Sequence, residues 1–233
     1  MNRTSGFAAV VFDCDGTLMD TDACVEAALD AVFARRGLVC DASTRAAVAG
    51  HAVGWQAGFL GDLLGEPAAD LAREFACALV EAVPRSAKPM PGAVDVVAAT
   101  AARGPVAVAS NSFRELLSAT LAYGRLDRLV DVSVAADEVA APKPAPDLYL
   151  AACARLGVAP ERALAVEDSR TGIEAARAAG LTVLGVGARA REGRVDQWMP
   201  CLDGAFVRLV EGEPSAALSQ AFRSGRPASG GVR

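Results

Sequence analysis

Histidine occurs once in the 233 residues, as His51, and lysine twice, as Lys88 and Lys143. A chain this poor in histidine offers no His/Cys cluster for zinc. Its cysteines, Cys14, Cys24, Cys40, Cys77, Cys153 and Cys201, are scattered without a CxxC pair. Spread through a long, apolar-rich chain, they read as reduced, partly buried thiols rather than a disulfide frame. Aromatics make up 5% of residues, no basic cluster is interleaved with them, and the formal charge is −5. That balance argues against a nucleic-acid or anionic-membrane partner while leaving room for a local cationic site for a small anion. No apolar run approaches membrane-spanning length, and the start, MNRTSGFAAVVFD, lacks a signal-peptide h-region and cleavage site. A soluble, cytoplasmic protein is expected, its oligomeric state left open.

What is present centres on residues 7–18, FAAVVFDCDGTL. An apolar, β-branched run the length of a buried strand stops abruptly at Asp13-Cys14-Asp15-Gly16-Thr17. Such a strand delivers two carboxylates, two residues apart, into a glycine-containing turn at the mouth of a sheet. Taken alone, the same stretch also reads as an acidic Asx-Gly turn.

Downstream, Thr21-Asp22 can cap a helix carrying Val25, Leu29, Val32 and Phe33 at helical spacing and ending at Gly37. Further helices are expected at about 55–64 and 67–83, so residues 21–84 read as an all-helical block. Pro84 and Lys88-Pro89-Met90-Pro91-Gly92 read as a proline-dense hinge. From Gly92 helix and strand alternate: strands over 106–109, 129–134, 163–166 and 181–186, with helices following Gly92, Ser112, Pro146 and Ser169. Alternation of this kind implies an α/β fold, a Rossmann-like parallel sheet with helices on both faces. An edge strand is expected over 205–209, a short helix over 214–222 and a disordered tail over 224–233. The resulting division is a catalytic core of 1–19 and 88–223, a helical cap of 20–87, and the tail.

The polar residues that follow the strands are Asp13 and Asp15, then Ser110 and Asn111, then Glu167 and Asp168, with Lys143 on a proline-braced loop. In open parallel sheets ligands bind at the carboxyl ends of the strands, so four separate segments converge on one crevice. Alone, Ser110-Asn111-Ser112 is a common helix cap, Lys143 a solvated lysine, and Glu167-Asp168-Ser169 a complement to a helix dipole. Together, in order and at strand ends, they point to a site. Its carboxylates repel one another unless a cation sits among them, and Mg2+, hard and oxygen-seeking, fits that donor set. The chemistry suits phosphoryl transfer: one carboxylate attacks phosphorus, cations and amides balance the non-bridging oxygens, and a second acid moves the proton.

These motifs, DCDGTL, SNS, Lys143 within PKPAPDLY, and EDSRTG, resemble those of the haloacid dehalogenase-like hydrolases. The helical insertion after the first motif resembles the small-helical-cap branch of phosphoglycolate phosphatases and β-phosphoglucomutases. The resemblance covers about 7–190. It implies Asp13 as nucleophile and Asp15 as general acid/base. Mg2+ would be held by Asp13, the Asp15 carbonyl and Asp168, with Glu167 binding directly or through water. Thr17 would order the turn, Ser110 and the Asn111 amide would grip the phosphoryl group, Lys143 would neutralise it, and Gly172 would keep the fourth-motif loop close to the metal.

Within that family, Asp15 speaks against carbon–halogen cleavage, and the lack of lysine in 21–84 speaks against a Schiff-base phosphonatase. A mutase carries an arginine three places after a cap glycine; with Gly50 as that glycine the position is Val53. The expectation is therefore a Mg2+-dependent phosphatase of a small phosphorylated metabolite, a sugar phosphate or a phosphoglycolate-like acid. A sugar-phosphate mutase is the alternative, and a non-catalytic phospho-acceptor or binding protein a remote one. Substrate choice is expected at Gly50 and His51, with Arg114 reaching a substrate's polar end. Trp55 and Phe59 read as cap core, and Arg45 and Arg73 as either substrate contacts or surface charges.

Overall fold

The computed structural model describes residues 7–48, 51 and 53–211. Gly50, the helix expected over 214–222 and the tail expected over 224–233 lie outside them. The described chain runs β1 (Ala9–Phe12), β2 (Met19–Asp20), α1 (Asp22–Ala34), α2 (Ala42–Val48), α3 (Val53–Leu64), α4 (Ala68–Ser86) and β3 (Lys88–Pro89). It continues α5 (Ala93–Ala101), β4 (Val106–Ala109), α6 (Arg114–Tyr123), β5 (Val132–Val134), α7 (Asp147–Leu156), β6 (Ala163–Glu167) and α8 (Arg170–Ala178). Last come β7 (Thr182–Val186), the single turn α9 (Gly187–Ala190), β8 (Gln197–Met199) and α10 (Gly204–Glu211).

Six strands form one parallel sheet in the order β5-β4-β1-β6-β7-β8, an α/β, Rossmann-like arrangement. Strand alternation sorts the apolar residues into two cores. Val10 and Phe12 of β1, Val106 and Val108 of β4, and Leu164 and Val166 of β6 face one; Val11, Ala107, Ala109, Ala163 and Ala165 face the other. The first is covered by α5, α6 and α10 and is continuous with the apolar faces of α1 and α4. The second, lined by alanine on the strands, takes α7 and α8 through Leu148, Tyr149, Ile173 and Ala176. Small strand side chains leave room there for the larger helix side chains at close-packed density.

The carboxyl ends of β1, β4 and β6 lie side by side at the centre of the sheet, with Val11 level with Ala107 and Ala165. Residues just past those ends are thus neighbours in space although they are far apart in sequence.

Several expectations need correction. The stretch over 205–209 is not an edge strand but part of α10, whose Phe206 is fully buried against Phe12 at 5.8 Å between ring centroids. The edge strand is β8, three residues beside β7 that follow a polar run and carry no alternation to announce them. Pro84 is no hinge: α4 runs through it to Ser86, and the helical bonding resumes past it, the Ala87 N–H donating to the Val83 carbonyl at 3.0 Å. The two chain crossings between the helical block and the sheet are paired instead as a short antiparallel ladder, Met19 with Pro89 and Asp20 with Lys88. Helix α2 was not expected. Between residues 21 and 86 the described elements are all helical.

Candidate active site

Asp13 follows β1 directly, and its backbone N–H donates to the Val166 carbonyl of β6, which fixes the strand end beside Glu167 and Asp168. Asp13, Lys143, Glu167 and Asp168 are each buried, between 0% and 6% exposed as whole residues. Burial of four ionisable groups is costly unless they satisfy one another, and here they do so closely. Lys143 Nζ lies 2.6 Å from Asp13 Oδ1 and 2.6 Å from Glu167 Oε1. Burial alone would lower the Lys143 pKa, but the charges of Asp13 and Glu167 more than offset it and hold the ammonium above its ordinary range.

Glu167 is fully engaged. Besides Lys143 it accepts from the Tyr149 hydroxyl at 2.7 Å, the Ser169 hydroxyl at 3.0 Å and the Ser169 N–H. Gly172 makes its position possible: a Cβ there would lie 1.7 Å from Glu167 Oε1. Ser169 caps α8 as expected, its hydroxyl accepting from the Gly172 N–H. Asn111 clamps the lysine loop, accepting from the Lys143 N–H at 2.8 Å and donating to the Lys143 carbonyl at 3.2 Å.

Asp15 is held by three hydroxyls. Thr21 donates to Oδ1 at 2.9 Å, and Ser110 and Ser112 donate to Oδ2 at 2.9 and 3.0 Å. Thr21 stands at the N-cap of α1 as expected, but its hydroxyl serves Asp15 and not the helix. Ser110 is completely buried and committed to Asp15, so Asn111 and Ser112, not Ser110, face the cleft. Gly16 turns with φ +89°, and a Cβ on it would come within 2.4 Å of Asp168 Oδ2. Thr17 donates weakly to Asp168 Oδ1, at 3.4 Å.

One oxygen of the cluster has no partner: Asp13 Oδ2 is buried without a hydrogen bond. Carboxylate oxygens of Asp13, Glu167 and Asp168 all lie within 4.8 Å of one another. Burial, above all, raises the Asp13 pKa well above its ordinary value; Lys143 opposes this and the other acids reinforce it. Asp168 is pushed up to about 6, by burial first and by Glu167 next, against Arg189 and Lys143. Among the described residues, the three carboxylates Asp13, Glu167 and Asp168 thus pair with two cations, Lys143 and Arg189. An orphaned oxygen beside two further carboxylates fits a divalent, oxygen-preferring cation.

A cavity of about 190 Å³ opens over these groups, its far side lined by His51, Val53, Gln56, Leu79 and Leu116. His51 reaches it with its ring stacked on Trp55, 3.8 Å between centroids, and Trp55 in turn stacks on Phe59. Trp55 is 47% exposed and so lies outside the core in which it was expected. Arg114 does not line the cavity; its guanidinium donates to the Ser133 hydroxyl and carbonyl and pairs with Glu138. Arg45 pairs with Glu26 and Asp30, and Arg73 with Asp70, as surface charges.

Sequence reasoning missed Tyr149, Ser112, Thr21 and Arg189 as parts of the site. Tyr149 sits on the apolar face of α7 and reads as core, yet it is one of only two tyrosines and follows Lys143 by six residues. A Tyr hydroxyl in such a place needs a buried partner.

The chain matches the family model of the haloacid dehalogenase-like hydrolases over residues 7–180. It belongs to that family. Among its relatives is the fructose-1-phosphate phosphatase YqaB of Escherichia coli, 36% identical over 183 residues that cover 77% of this chain and 96% of that one. Another is the N-acetylmuramic acid 6-phosphate phosphatase of Pseudomonas aeruginosa, 34% identical over 179 residues covering 74% and 78%. The crystal structure of CbbY from Rhodobacter sphaeroides in complex with phosphate superposes with a TM-score of 0.73 at 28% identity, covering 87% of this chain and 96% of that one. Family and relatives together make the chain a hydrolase of the phosphoric monoester class.

Proposed function

We propose that the protein is a Mg2+-dependent phosphatase of a small sugar monophosphate, working through an aspartyl-phosphate on Asp13. The observation that carries this reading is the Asp13 carboxylate itself, one oxygen bound to Lys143 and the other buried and unpartnered at the mouth of the sheet. Asp13 attacks phosphorus, the ester P–O bond breaks, and Asp15 gives its proton to the leaving alkoxide. Asp15 then takes a proton from the water that attacks the phosphoryl group, and inorganic phosphate leaves with Asp13 restored. Lys143 and backbone amides, that of Asn111 included, offset charge on the non-bridging oxygens. Asp13, the Asp15 carbonyl and Asp168 would hold Mg2+, whose contribution when bound is further charge neutralisation. In this reading Glu167 acts by fixing Lys143, with which it shares the 2.6 Å contact.

Residues 20–87 would act as a cap that closes the site against water. Among the described residues of that block no lysine or arginine lines the cavity: Arg35 and Arg36 pair with Glu74, and Arg36 also with Glu66. A second phosphate or a substrate carboxylate would therefore meet no cation there, whereas a neutral polyhydroxy group would meet His51 and Gln56. This favours a sugar monophosphate over a phosphoglycolate-like acid, and phosphatase over mutase, in which a second phosphate must be held. A cytoplasmic setting rests on the cysteine usage; no described helix is long and apolar enough to cross a membrane.

The test is Mg2+-dependent phosphate release across sugar monophosphates, bisphosphates and short acid phosphates, with Asp13→Asn as control. Release that needs both metal and Asp13 and is fastest on sugar monophosphates supports the proposal. Isomerised sugar phosphate without net release would favour the mutase, and phosphorylation without turnover a phospho-acceptor.

A further inference from the structure

One cation at the site belongs to none of the four motifs. Arg189 lies on α9, the turn after β7, and its Nη2 is 3.2 Å from Asp168 Oδ2. The same nitrogen is 3.0 Å from the point where a Cβ on Gly16 would stand, so it is wedged between the first-motif turn and the fourth-motif carboxylate. Apart from the weak Thr17 bond, Arg189 is the partner that the structure gives the Asp168 side chain. The two ends of this pair differ sharply: the Asp168 side chain is 7% exposed and that of Arg189 63%.

Behind Arg189 is a second cavity, of about 210 Å³, lined by Met90, Pro91, Val186, Pro200 and Leu202. Arg189 and Asp168 line both cavities and stand between them. The Arg189 guanidinium, mostly in water, can change rotamer without leaving solvent, and it has space to move into.

We propose that Arg189 is a displaceable counter-ion of Asp168 that competes with the divalent cation for this carboxylate and turns toward the second cavity when the cation binds. The proposal rests on Asp168 being a metal ligand. Guanidinium and metal ion would draw on the same carboxylate, and their like charges oppose each other in a partly buried site where screening is weak. Arg189 thus lowers the affinity for the metal. A merely structural ion pair would act in the opposite direction, because its loss would free Asp168 to move and weaken binding.

The test is calorimetric titration of Mg2+ into the wild-type protein and into Arg189→Gln, Arg189→Ala and Arg189→Lys, with Asp168→Asn as control and melting temperatures to establish folding. Arg189→Gln and Arg189→Ala should bind Mg2+ about three- to tenfold tighter, a range set by roughly 0.7–1.4 kcal/mol of lost competition. Arg189→Lys, which keeps the charge, should stay within about twofold of wild type by the same measure. Equal or weaker binding by both neutral variants, with wild-type binding intact, would overturn the proposal and leave the metal site standing. Failure of every protein to bind Mg2+ would overturn both.

Discussion

Lys143 Nζ bridges Asp13 Oδ1 and Glu167 Oε1 at 2.6 Å each, so the ammonium orients the proposed nucleophile and neutralises a carboxylate buried beneath it. Removing it leaves two acids buried without their cation. Lys143→Ala should cost about 3–5 kcal/mol of stability, the usual result of breaking a buried ion pair by one partner. Chemical denaturation measures this, and a cost below about 1 kcal/mol, the value of a surface pair, would refute the bridging role.

Gly172 tests the same cluster without touching a charge. A methyl at that position would fall 1.7 Å from Glu167 Oε1, and the Glu167 carboxylate is enclosed by Lys143, Tyr149 and Ser169. Gly172→Ala should destabilise the fold by about 1–3 kcal/mol as an overpacked core does, and should lower kcat by displacing Lys143. Unfolding curves and kinetics on the same sample check both halves; loss of stability with kcat unchanged would separate Glu167 from catalysis.

Asp15 should matter in proportion to the leaving group. If it protonates the departing alkoxide, Asp15→Asn should slow a sugar phosphate by about 10²–10⁴-fold, the usual range for a general acid. An aryl phosphate whose phenolate leaves without help should suffer much less in its first transfer. Comparing burst rates on the two substrates decides it, and equal losses would point to a structural role through Thr21, Ser110 and Ser112.

The pH dependence follows from Asp168, raised from 3.8 to about 6. Between those values the folded chain holds a proton that the unfolded chain has released, so this group makes stability fall as pH rises from about 4 to about 6. Mg2+ needs the ionised form, and its stabilising effect should run the other way. Mg2+ at about 100 times its dissociation constant at neutral pH should add about 2.7 kcal/mol. The gain should shrink by about 1.4 kcal/mol for each unit that the pH falls below about 6. Melting curves with and without Mg2+ at several pH values test this; a gain independent of pH would place the metal elsewhere.

The sheet and the floor of the site were legible because both follow short-range rules. Buried apolar runs ending in acids announce β1 and β6, and parallel alternation brings those ends together. What stayed hidden depends on tertiary contact. The family resemblance implies Ser110 as a phosphate ligand, but only the fold reveals that its hydroxyl is turned onto Asp15. Arg114 looks available from sequence, yet Ser133 and Glu138, about twenty residues on, occupy it. Arg189 lies in no motif and meets Asp168 only because β7 runs beside β6. Residues 205–209 of α10 read as a strand because five apolar-rich residues fit either period until Phe206 finds Phe12.

The most direct test of the account is to look for the phosphoryl group on Asp13. Asp15→Asn, mixed with Mg2+ and an activated aryl phosphate and quenched in acid, should yield a phosphorylated peptide whose label maps to Asp13 by mass spectrometry. Its formation should vanish in Asp13→Asn. Aryl phosphate hydrolysed at a measurable rate with no covalent phosphate on Asp13, or with the label on another residue, would contradict the mechanism proposed for this site.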